Sequence, residues 1–311
     1  MRVCSLLPSS TEIVCALGMG HLLVGVSHEC DFPAEVAALP KLTWSNIKAG
    51  LSGAEIDGAV TSTLDGGSGL YGLHVALLDR LAPTVVLTQR LCDVCAVADR
   101  QLQDALDALS FRPQVIYLEP HTLEDILADI GRVAHVLGCP GRGQRLLAHL
   151  RARIEAVRTR AQAGPRPRVF CMEWVDPPYC GGHWMHDLVE IAGAEDGMAR
   201  RHRPSCRVEW QRVIAYAPEV IVVSCCGFDL ARGAKEAQLL AHMPGVWELP
   251  AVRNGRLFAT DGSSYFSRPG PRIVDSLEIL AHLLHPRLFS PPAAGGRWTR
   301  VDLTRAAAIS I

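Results

Sequence analysis

The amino-acid sequence predicts an α/β fold made of two similar lobes that are joined by a long helical segment. Short apolar runs alternate with helical periods over residues 1–121, and the same alternation returns over residues 165–285. Residues 122–164, between these stretches, contain helical periods only. The segment Ala82–Leu87 also resembles the segment Ala217–Val222, which is a faint internal repeat. Strands that alternate with helices are typical of parallel sheets with helical crossovers.

The first lobe, residues 1–121, contains two spacings that indicate where helices begin. Ser9 and Glu12 have the spacing of a capping box, and we expect a helix to begin at Ser9. Ser52 and Glu55 repeat this spacing and predict a second helix. The other elements predicted in this lobe are the strands Arg2–Leu7, Leu22–Ser27, Val85–Leu87 and Val115–Leu118 and the helix Asp99–Leu109.

Residues 122–164 contain the helical periods Leu123–Leu137 and Gln144–Arg160, which predict a linking segment that is helical. Beyond the second lobe, residues 286–311 are rich in proline and glycine, and we expect them to form an irregular tail. The elements predicted in the second lobe are the strands Arg168–Met172, Val220–Val223 and Arg256–Ala259 and the helices Trp184–Ala192, Ala234–Ala241 and Arg272–Leu284.

Composition and charge exclude several classes of protein. Lysine plus arginine number 31 and aspartate plus glutamate 32, so the chain lacks the basic character of a nucleic-acid binder. No stretch reaches the ~20 apolar residues that a membrane span needs. The N-terminal apolar run is short and is interrupted by Pro8, which is unlike an export signal. As written, the sequence predicts a cytoplasmic protein, or a periplasmic one whose N-terminus has been trimmed.

The chain contains 11 cysteines, an odd and scattered set that does not resemble the disulfide framework of a small secreted protein. We interpret most of them as small apolar fillers. Cys92 and Cys95 form a CxxC motif after a predicted strand, and this motif is compatible with a metal site, a redox pair or simple packing. Zinc would need two further ligands, for which the loop candidates are His28, Cys30, His183 and His186.

Three segments of the chain resemble one protein family. Residues 2–33 (RVCSLLPSSTEIVCALGMGHLLVGVSHECDFP), 176–179 (DPPY) and 261–272 (DGSSYFSRPGPR) are similar, in this order, to parts of cobalamin-type periplasmic substrate-binding proteins. These proteins belong to the helical-backbone class of ABC-transporter binding proteins. The resemblance implies the class III fold of two Rossmann-like lobes joined by a long helix. It also implies a ligand in the cleft between the lobes, either a corrinoid such as cobalamin or a related metal chelate such as haem or an iron siderophore.

A corrinoid is a broad and mostly apolar plate with a fringe of amides, so its site needs aromatic walls and a few hydrogen-bonding groups. Aromatic residues follow several predicted strands, and such loops meet at the carboxyl ends of parallel strands, where ligands bind. The resemblance places Trp44, Tyr179 and Tyr265 at ligand-facing positions. The full set of candidate ligand-binding residues is Ser9, Ser10, Trp44, Tyr71, Gln89, Tyr179, His183, Trp184, Ser264, Tyr265, Phe266 and Arg268.

Each of these residues also has a plainer structural interpretation. An aromatic side chain in such a loop can simply fill the core of its lobe. Ser9 and Ser10 can cap a helix without touching a ligand. A lone histidine such as His183 is more often a structural group than a ligand. Both interpretations stay open at the level of the sequence.

Two positions depart from the family pattern. The resemblance implies docking to a membrane permease through one exposed acidic residue on each lobe. The second-lobe position falls on Gln211 and the first-lobe position lies near Asp99, so neither is a glutamate. These departures weigh against docking to an ABC permease. Together with the N-terminus, they favour a role inside the cell in storage, sensing or delivery.

An enzyme is the alternative to a binding protein. The chain contains no nucleophile elbow, Walker A loop or HExxH motif. Glu173, Asp176, His183 and His186 would form an acid–base site if they converged, which would suit a metal-dependent hydrolase or a metal- or haem-binding protein. We expect a binding protein for a small-molecule ligand, with no cofactor required and with a metal at the CxxC motif as an added possibility.

Overall fold

In the computed structural model, the chain folds into two compact units, unit 1 (residues 1–150) and unit 2 (residues 151–311). Each unit contains a sheet whose central strands are parallel, which confirms the predicted α/β class. Within the described residues, no helix combines the length and the apolar character needed to cross a bilayer. The structure describes residues 1–48, 50–65, 69–89, 99–292 and 297–304.

The strands described in unit 1 are β1 (Val3–Ser5), β2 (Leu23–Val26), β3 (Thr43–Ser45), β4 (Tyr71–Leu73), β5 (Val85–Thr88) and β6 (Gln114–Tyr117). The helices are α1 (Pro8–Ala16), α2 (Gly53–Asp65), α3 (Val75–Leu81), α4 (Asp99–Asp107), α5 (Leu123–Val136) and α6 (Pro140–Ala161), which continues into unit 2. Strands β2, β1, β5 and β6, in that order, form a parallel sheet, and β3 and β4 form a separate two-stranded antiparallel sheet. The strand β5 is buried along its whole length, which explains its unbroken apolar run.

The two predicted capping boxes of unit 1 have different outcomes. The second is confirmed, because the Ser52 amide donates to Glu55 Oε2 (2.7 Å) and the Glu55 amide donates to Ser52 Oγ (3.3 Å). The first is wrong, because α1 begins at Pro8 and Ser9 already lies inside the helix. Proline suits the first helical position, where no backbone donor is needed, so the helix starts one residue earlier than the capping pattern indicates.

The strands described in unit 2 are β7 (Val169–Trp174), β8 (Tyr179–Cys180), β9 (Val220–Val223), β10 (Leu257–Thr260) and β11 (Trp298–Arg300). The helices are α7 (Met185–Ile191), α8 (Trp210–Tyr216), α9 (Leu230–Ala237), α10 (Pro250–Arg253) and α11 (Ile273–Leu284). The sheet has the order β11-β10-β9-β7-β8. Strands β7, β9 and β10 are parallel, and the outer strands β8 and β11 are antiparallel to their neighbours.

The predicted irregular tail, residues 286–311, is wrong where β11 forms. This strand pairs with β10, and Thr299 stands opposite Ala259. The ring of Trp298 meets the ring of Phe258 edge-on, with 5.8 Å between the ring centres. Three residues are too few to show a strand period, so the strand depends on pairing with β10 and on this aromatic contact.

Helix α6 has residues in both units, because the division falls after Leu150. In unit 1, Arg142 Nη1 donates to the carbonyl oxygens of Leu17 (3.2 Å) and Gly18 (3.0 Å), at the end of α1. A helix at this place agrees with the linking helix of the predicted fold. The predicted domain boundaries at residues 121, 164 and 285 stay predictions.

Replacing Arg153 of α6 by methionine should lower the free energy of unfolding of unit 2 by about 1–3 kcal/mol. Arg153 Nε donates to Glu278 Oε1 (2.8 Å) and Arg153 Nη2 donates to Asp275 Oδ1 (2.6 Å), so the variant leaves two partly buried carboxylates of α11 without this partner. Urea unfolding measures the loss. The control is Arg158→Met, whose ion pair with Glu155 is largely exposed and is expected to contribute less than about 0.5 kcal/mol. Equal losses in both variants would contradict this role of Arg153.

Candidate functional site

In unit 1, the loop after β2 contacts the two-stranded sheet β3–β4 through polar and aromatic side chains. His28 Nδ1 lies 2.7 Å from Thr43 Oγ1, and the His28 and Tyr71 rings are 5.4 Å apart. Tyr71 Oη donates to Glu29 Oε1 (3.2 Å). Burial lowers the pKa of His28, so this imidazole is neutral near pH 7. Tyr71 of β4, one of the candidate ligand-binding residues, is thus fixed beside the carboxyl end of β2.

Trp44 is the most open aromatic of the β3–β4 sheet, with 41% of its surface exposed. It stands opposite Gly72 on β4, and a Cβ on Gly72 would lie 2.1 Å from the indole, so the ring covers the glycine backbone. The indole Nε1 donates to Asn46 Oδ1 (3.0 Å), and the ring centre lies 4.4 Å from that of His74. The indole is therefore held in place while much of it faces solvent.

The other polar candidates of unit 1 are buried. Ser9 and Ser10 are 2% and 0% exposed, and Ser10 Oγ lies 2.6 Å from Ser5 Oγ and donates to the Leu7 carbonyl (3.1 Å). The Ser10 hydroxyl packs the start of α1 against β1, and the ligand role predicted for Ser9 and Ser10 stays a prediction. Gln89, directly after β5, is 7% exposed.

In unit 2, the loops after β7 and β9 bring aromatic rings together. Tyr179 of β8 pairs with Trp174 at the end of β7. The ring of Trp174 lies 4.8 Å from the ring of Phe228, and the guanidinium carbon of Arg232 lies 3.6 Å from the centre of the Phe228 ring. Phe228 was not predicted as part of this site. Its position a few residues after β9 is the signal that would have found it.

The turn after β8 positions His183. The backbone at His183 is left-handed, with φ at 52°, and its amide donates to the Arg203 carbonyl (2.7 Å). The preceding amide, of Gly182, donates to Glu173 Oε2 (3.1 Å). A left-handed backbone at a residue with a side chain is uncommon and costs free energy, and such positions cluster at functional sites. His183 as a whole is half-buried, and its Nδ1 atom is buried.

The candidates around the turn after β10 are mostly packing residues. Trp184 is 6% exposed and its Nε1 donates to the carbonyl of Phe266, itself 3% exposed, so both side chains belong to the core of unit 2. Tyr265 is also buried, with the guanidinium carbon of Arg297 4.9 Å from its ring centre. These three side chains are buried in unit 2, and the ligand role predicted for Trp184, Tyr265 and Phe266 stays a prediction.

Two polar candidates of the same turn differ in exposure. The Ser264 amide donates to Asp261 Oδ1 (2.7 Å) at the start of a single π-helical turn, Gly262–Phe266, and Ser264 is half-buried. Arg268 is 6% exposed and its Nη2 donates to Ser263 Oγ (3.5 Å). Ser264 is therefore the more accessible of the two.

The metal and enzyme hypotheses gain nothing from the described residues. Cys92 and Cys95 lie outside the part of the chain that the structure describes. Cys30 is buried, with its sulfur 3.1 Å from Thr11 Oγ1. Within the described ranges, no group of three or more histidine, cysteine, aspartate or glutamate side chains could hold a metal ion. The proposed acid–base set of Glu173, Asp176, His183 and His186 does not form such a group.

Known proteins resemble this chain over most of its length. A vitamin B12-binding protein of Vibrio parahaemolyticus is 24% identical over 286 residues, which cover 90% of this chain and 88% of that protein. A vitamin B12-binding protein of Vibrio cholerae is 26% identical over 282 residues, which cover 89% of this chain and 86% of that protein.

Solved structures show the same fold. The periplasmic vitamin B12 binding protein of Vibrio cholerae matches 92% of this chain and 96% of its own, with 23% identity and a TM-score of 0.65. A periplasmic haem binding protein of Pseudomonas aeruginosa matches 96% of this chain and 99% of its own, with 19% identity and a TM-score of 0.70. These matches confirm the predicted class III fold.

The names of these relatives also bear on the other expectations. They are binding proteins, which confirms the expectation of a binding protein rather than an enzyme and leaves the hydrolase alternative without support. Relatives described as periplasmic give no support to a cytoplasmic location or to the argument against permease docking. Gln211, on which that argument rests, is exposed on α8.

The sequence profile of one family spans most of the chain. It is described as that of a periplasmic binding protein, and it matches residues 3–263. This range includes most of both units, and the resemblance identified from the three sequence segments is confirmed. The chain belongs to the periplasmic binding protein family.

Proposed function

We propose that this chain binds a metal-chelating macrocycle, with a cobalamin-type corrinoid as the first candidate, and that aromatic side chains such as Trp44 and Tyr179 contribute to the binding. The observation that carries the proposal is Trp44, whose indole is fixed over Gly72 and is 41% exposed. An exposed aromatic ring that is held in place can serve as a wall for a planar ligand. The names of the relatives, which bind vitamin B12 or haem, support this class of ligand.

The polar candidates of both units suit a ligand fringed with amides. Tyr71 contributes a hydroxyl, Ser264 a half-buried hydroxyl, and Gln89 a carboxamide that both donates and accepts hydrogen bonds. Tyr179 adds a phenol ring and hydroxyl in unit 2, beside the Trp174 ring. Neutral groups of this kind satisfy amides without leaving a charge unpaired in the complex.

Haem is the second candidate, and His183 is the residue that favours it. The imidazole lies in a strained turn after β8, and imidazole nitrogen is a common axial ligand of haem iron. The structural relative that is described as a haem binding protein supports haem as a candidate. If His183 ligates the iron, replacing it by alanine should abolish the change in the Soret band on haem binding. The affinity for a corrinoid that binds without His183 should change little.

A parallel titration tests the proposed function. The purified full chain is titrated with cyanocobalamin, haemin and a ferric siderophore, and the heat of binding and the visible absorption are recorded. We expect cyanocobalamin to bind with a Kd in the micromolar range or tighter. If none of the three ligands binds, the proposal fails. Tight binding of haemin alone would instead identify haem, the second candidate, as the ligand.

Replacing Trp44 or Tyr179 by alanine should weaken binding by about 1–3 kcal/mol for each ring, which corresponds to a Kd raised about 5- to 150-fold. Gly72→Ala gives a more specific test, because it keeps the indole of Trp44 but displaces it. The new Cβ would lie 2.1 Å from the present ring position, so the ring must move and binding should weaken. The control is Leu239→Ala, which removes an apolar side chain of equal exposure, 41%, in the 3₁₀ helix Gln238–His242 that follows α9. Unchanged affinity in both aromatic variants would rule out this site.

A further inference from the structure

Two cysteines of unit 2 lie in direct contact although 25 residues separate them in the sequence. Cys180 Sγ and Cys206 Sγ are 3.5 Å apart. The Cys180 amide donates to the Cys206 carbonyl (3.0 Å), and the neighbouring residues Tyr179 and Arg207 form an antiparallel bridge. The backbone of the two segments is thus already paired around the thiols.

This pairing matches what a disulfide requires. Residues that face each other across an antiparallel pair have Cα atoms about 4.5–5.5 Å apart, and disulfides join Cα atoms about 4.4–6.8 Å apart. Bond formation would bring the sulfur atoms from 3.5 Å to about 2 Å, which a small rotation of the side chains supplies. Gly182 keeps the segments close, because a Cβ there would lie 2.2 Å from the Ser205 nitrogen.

We propose that Cys180 and Cys206 form a reversible disulfide, which fastens the turn of residues 179–183 to the segment of residues 203–208 and makes unit 2 sensitive to redox conditions. Nothing in the sequence indicates this pair, because neither cysteine belongs to a short motif. A chain that folds in an oxidising compartment would acquire the bond, and a chain kept with excess thiol would not.

The exposures of the two thiols fix the order of the reaction with a small-molecule disulfide such as oxidised glutathione. Cys206 is half-buried and Cys180 is buried, so the Cys206 thiolate attacks the oxidant first, forms a mixed disulfide and releases one glutathione thiolate. Burial raises the pKa of Cys180 to about 12, so this thiol reacts second. After losing its proton, Cys180 attacks the Cys206 sulfur and releases the second glutathione. Two thiols are oxidised and one disulfide is reduced, and an excess of glutathione reverses both steps.

The bond would act on residues that belong to the proposed ligand site. Tyr179 precedes Cys180, and the His183 amide is bound to the Arg203 carbonyl at the other end of the same pairing (2.7 Å). A cross-link here restricts the turn that carries both side chains, and we expect ligand release to slow in the oxidised form. This consequence rests on the proposed function, whereas the formation of the bond does not.

Peptide mapping of the full chain tests the bond without any ligand. The protein is equilibrated in glutathione buffers of increasing oxidised fraction, free thiols are blocked, and the peptides are identified by mass spectrometry. We expect the peptide with Cys180 to be joined to the peptide with Cys206, and the melting temperature to rise by roughly 5–10 °C on oxidation. Cys206→Ser should lose both effects, and Cys226→Ser should keep both.

The same experiment can overturn the proposal. It is wrong if the two cysteines are still recovered as separate thiols in the most oxidising buffer, if each carries its own glutathione, or if Cys180 is joined to another cysteine such as Cys171. Circular dichroism of Cys206→Ser establishes that the variant folds. Failure of ligand binding in the separate titration would leave the cross-link result unaffected, so the two proposals fail independently.

Discussion

Replacing Gly262 by alanine is expected to lower the free energy of unfolding of unit 2 by about 3 kcal/mol, at the upper end of the cost of overpacking. A Cβ on this residue would lie 2.3 Å from the Cys225 carbonyl oxygen and 2.8 Å from the Ser224 carbonyl carbon. Both atoms belong to the backbone that leaves β9, and backbone cannot turn aside as a long side chain can. The loops after β9 and β10 must therefore separate.

Urea unfolding of the variant measures this loss. The control is Gly58→Ala on α2, where a Cβ meets nothing within 4 Å. In an exposed helix interior this change should instead raise the free energy of unfolding by about 0.5–1 kcal/mol. A loss below about 1 kcal/mol for Gly262→Ala would mean that the loops yield more easily than their close approach indicates.

The stability of unit 2 should fall as the pH rises from 4 to 7, because of Asp196. Burial raises the pKa of this carboxyl from 3.8 to about 6, even though its Oδ1 accepts hydrogen bonds from the Met198 amide (2.8 Å) and the Ala199 amide (3.1 Å) and the charge of Arg212 opposes the rise. Between these pKa values the folded state binds a proton that the unfolded state has released. The contribution is therefore fully present below pH 3.8 and is lost as the pH passes 6. Each pKa unit corresponds to about 1.4 kcal/mol, so the loss over the whole titration amounts to about 3 kcal/mol.

Asp196→Asn isolates this contribution from all other titrating groups. The asparagine oxygen can accept the same two backbone hydrogen bonds but carries no charge at any pH. Free energies of unfolding of both proteins are measured at a series of pH values from 4 to 7. The difference between them should favour the variant by about 2.4 kcal/mol more at pH 7 than at pH 4, because part of the contribution is already lost at pH 4. A difference that does not change with pH would show that Asp196 stays ionised throughout.

The elements that could be predicted from the sequence are those that carry their own pattern. β5 and β9 are buried along their whole length, and a strand covered on both faces reads as an unbroken apolar run. The strands β3, β4, β8 and β11 have two or three residues each, too few for any period. These strands form because a partner strand supplies their hydrogen bonds, as β10 does for β11. The sequence alone does not show which strand is the partner.

The candidate site could also be predicted only in part. The sequence could place aromatic residues after strands, but it could not separate an exposed indole from a buried one. Trp44 faces solvent over a glycine, whereas Trp184 satisfies its Nε1 through the Phe266 carbonyl inside the core. That difference depends on contacts across 28 and 82 residues of chain. The contact between Cys180 and Cys206 is hidden from the sequence for the same reason.

Strand β11 has a consequence for the behaviour of the protein at high concentration. Without it, β10 would be the outermost strand of the unit 2 sheet, and its unpaired N–H and C=O groups would accept a strand from another molecule. The strand that covers β10 is only three residues long and ends in exposed Arg300, which is paired with Asp302 (3.1 Å). Short length and charge both disfavour the addition of further strands. Residues 297–304 thus shield the sheet from aggregation, and a C-terminal fusion or truncation should leave them intact.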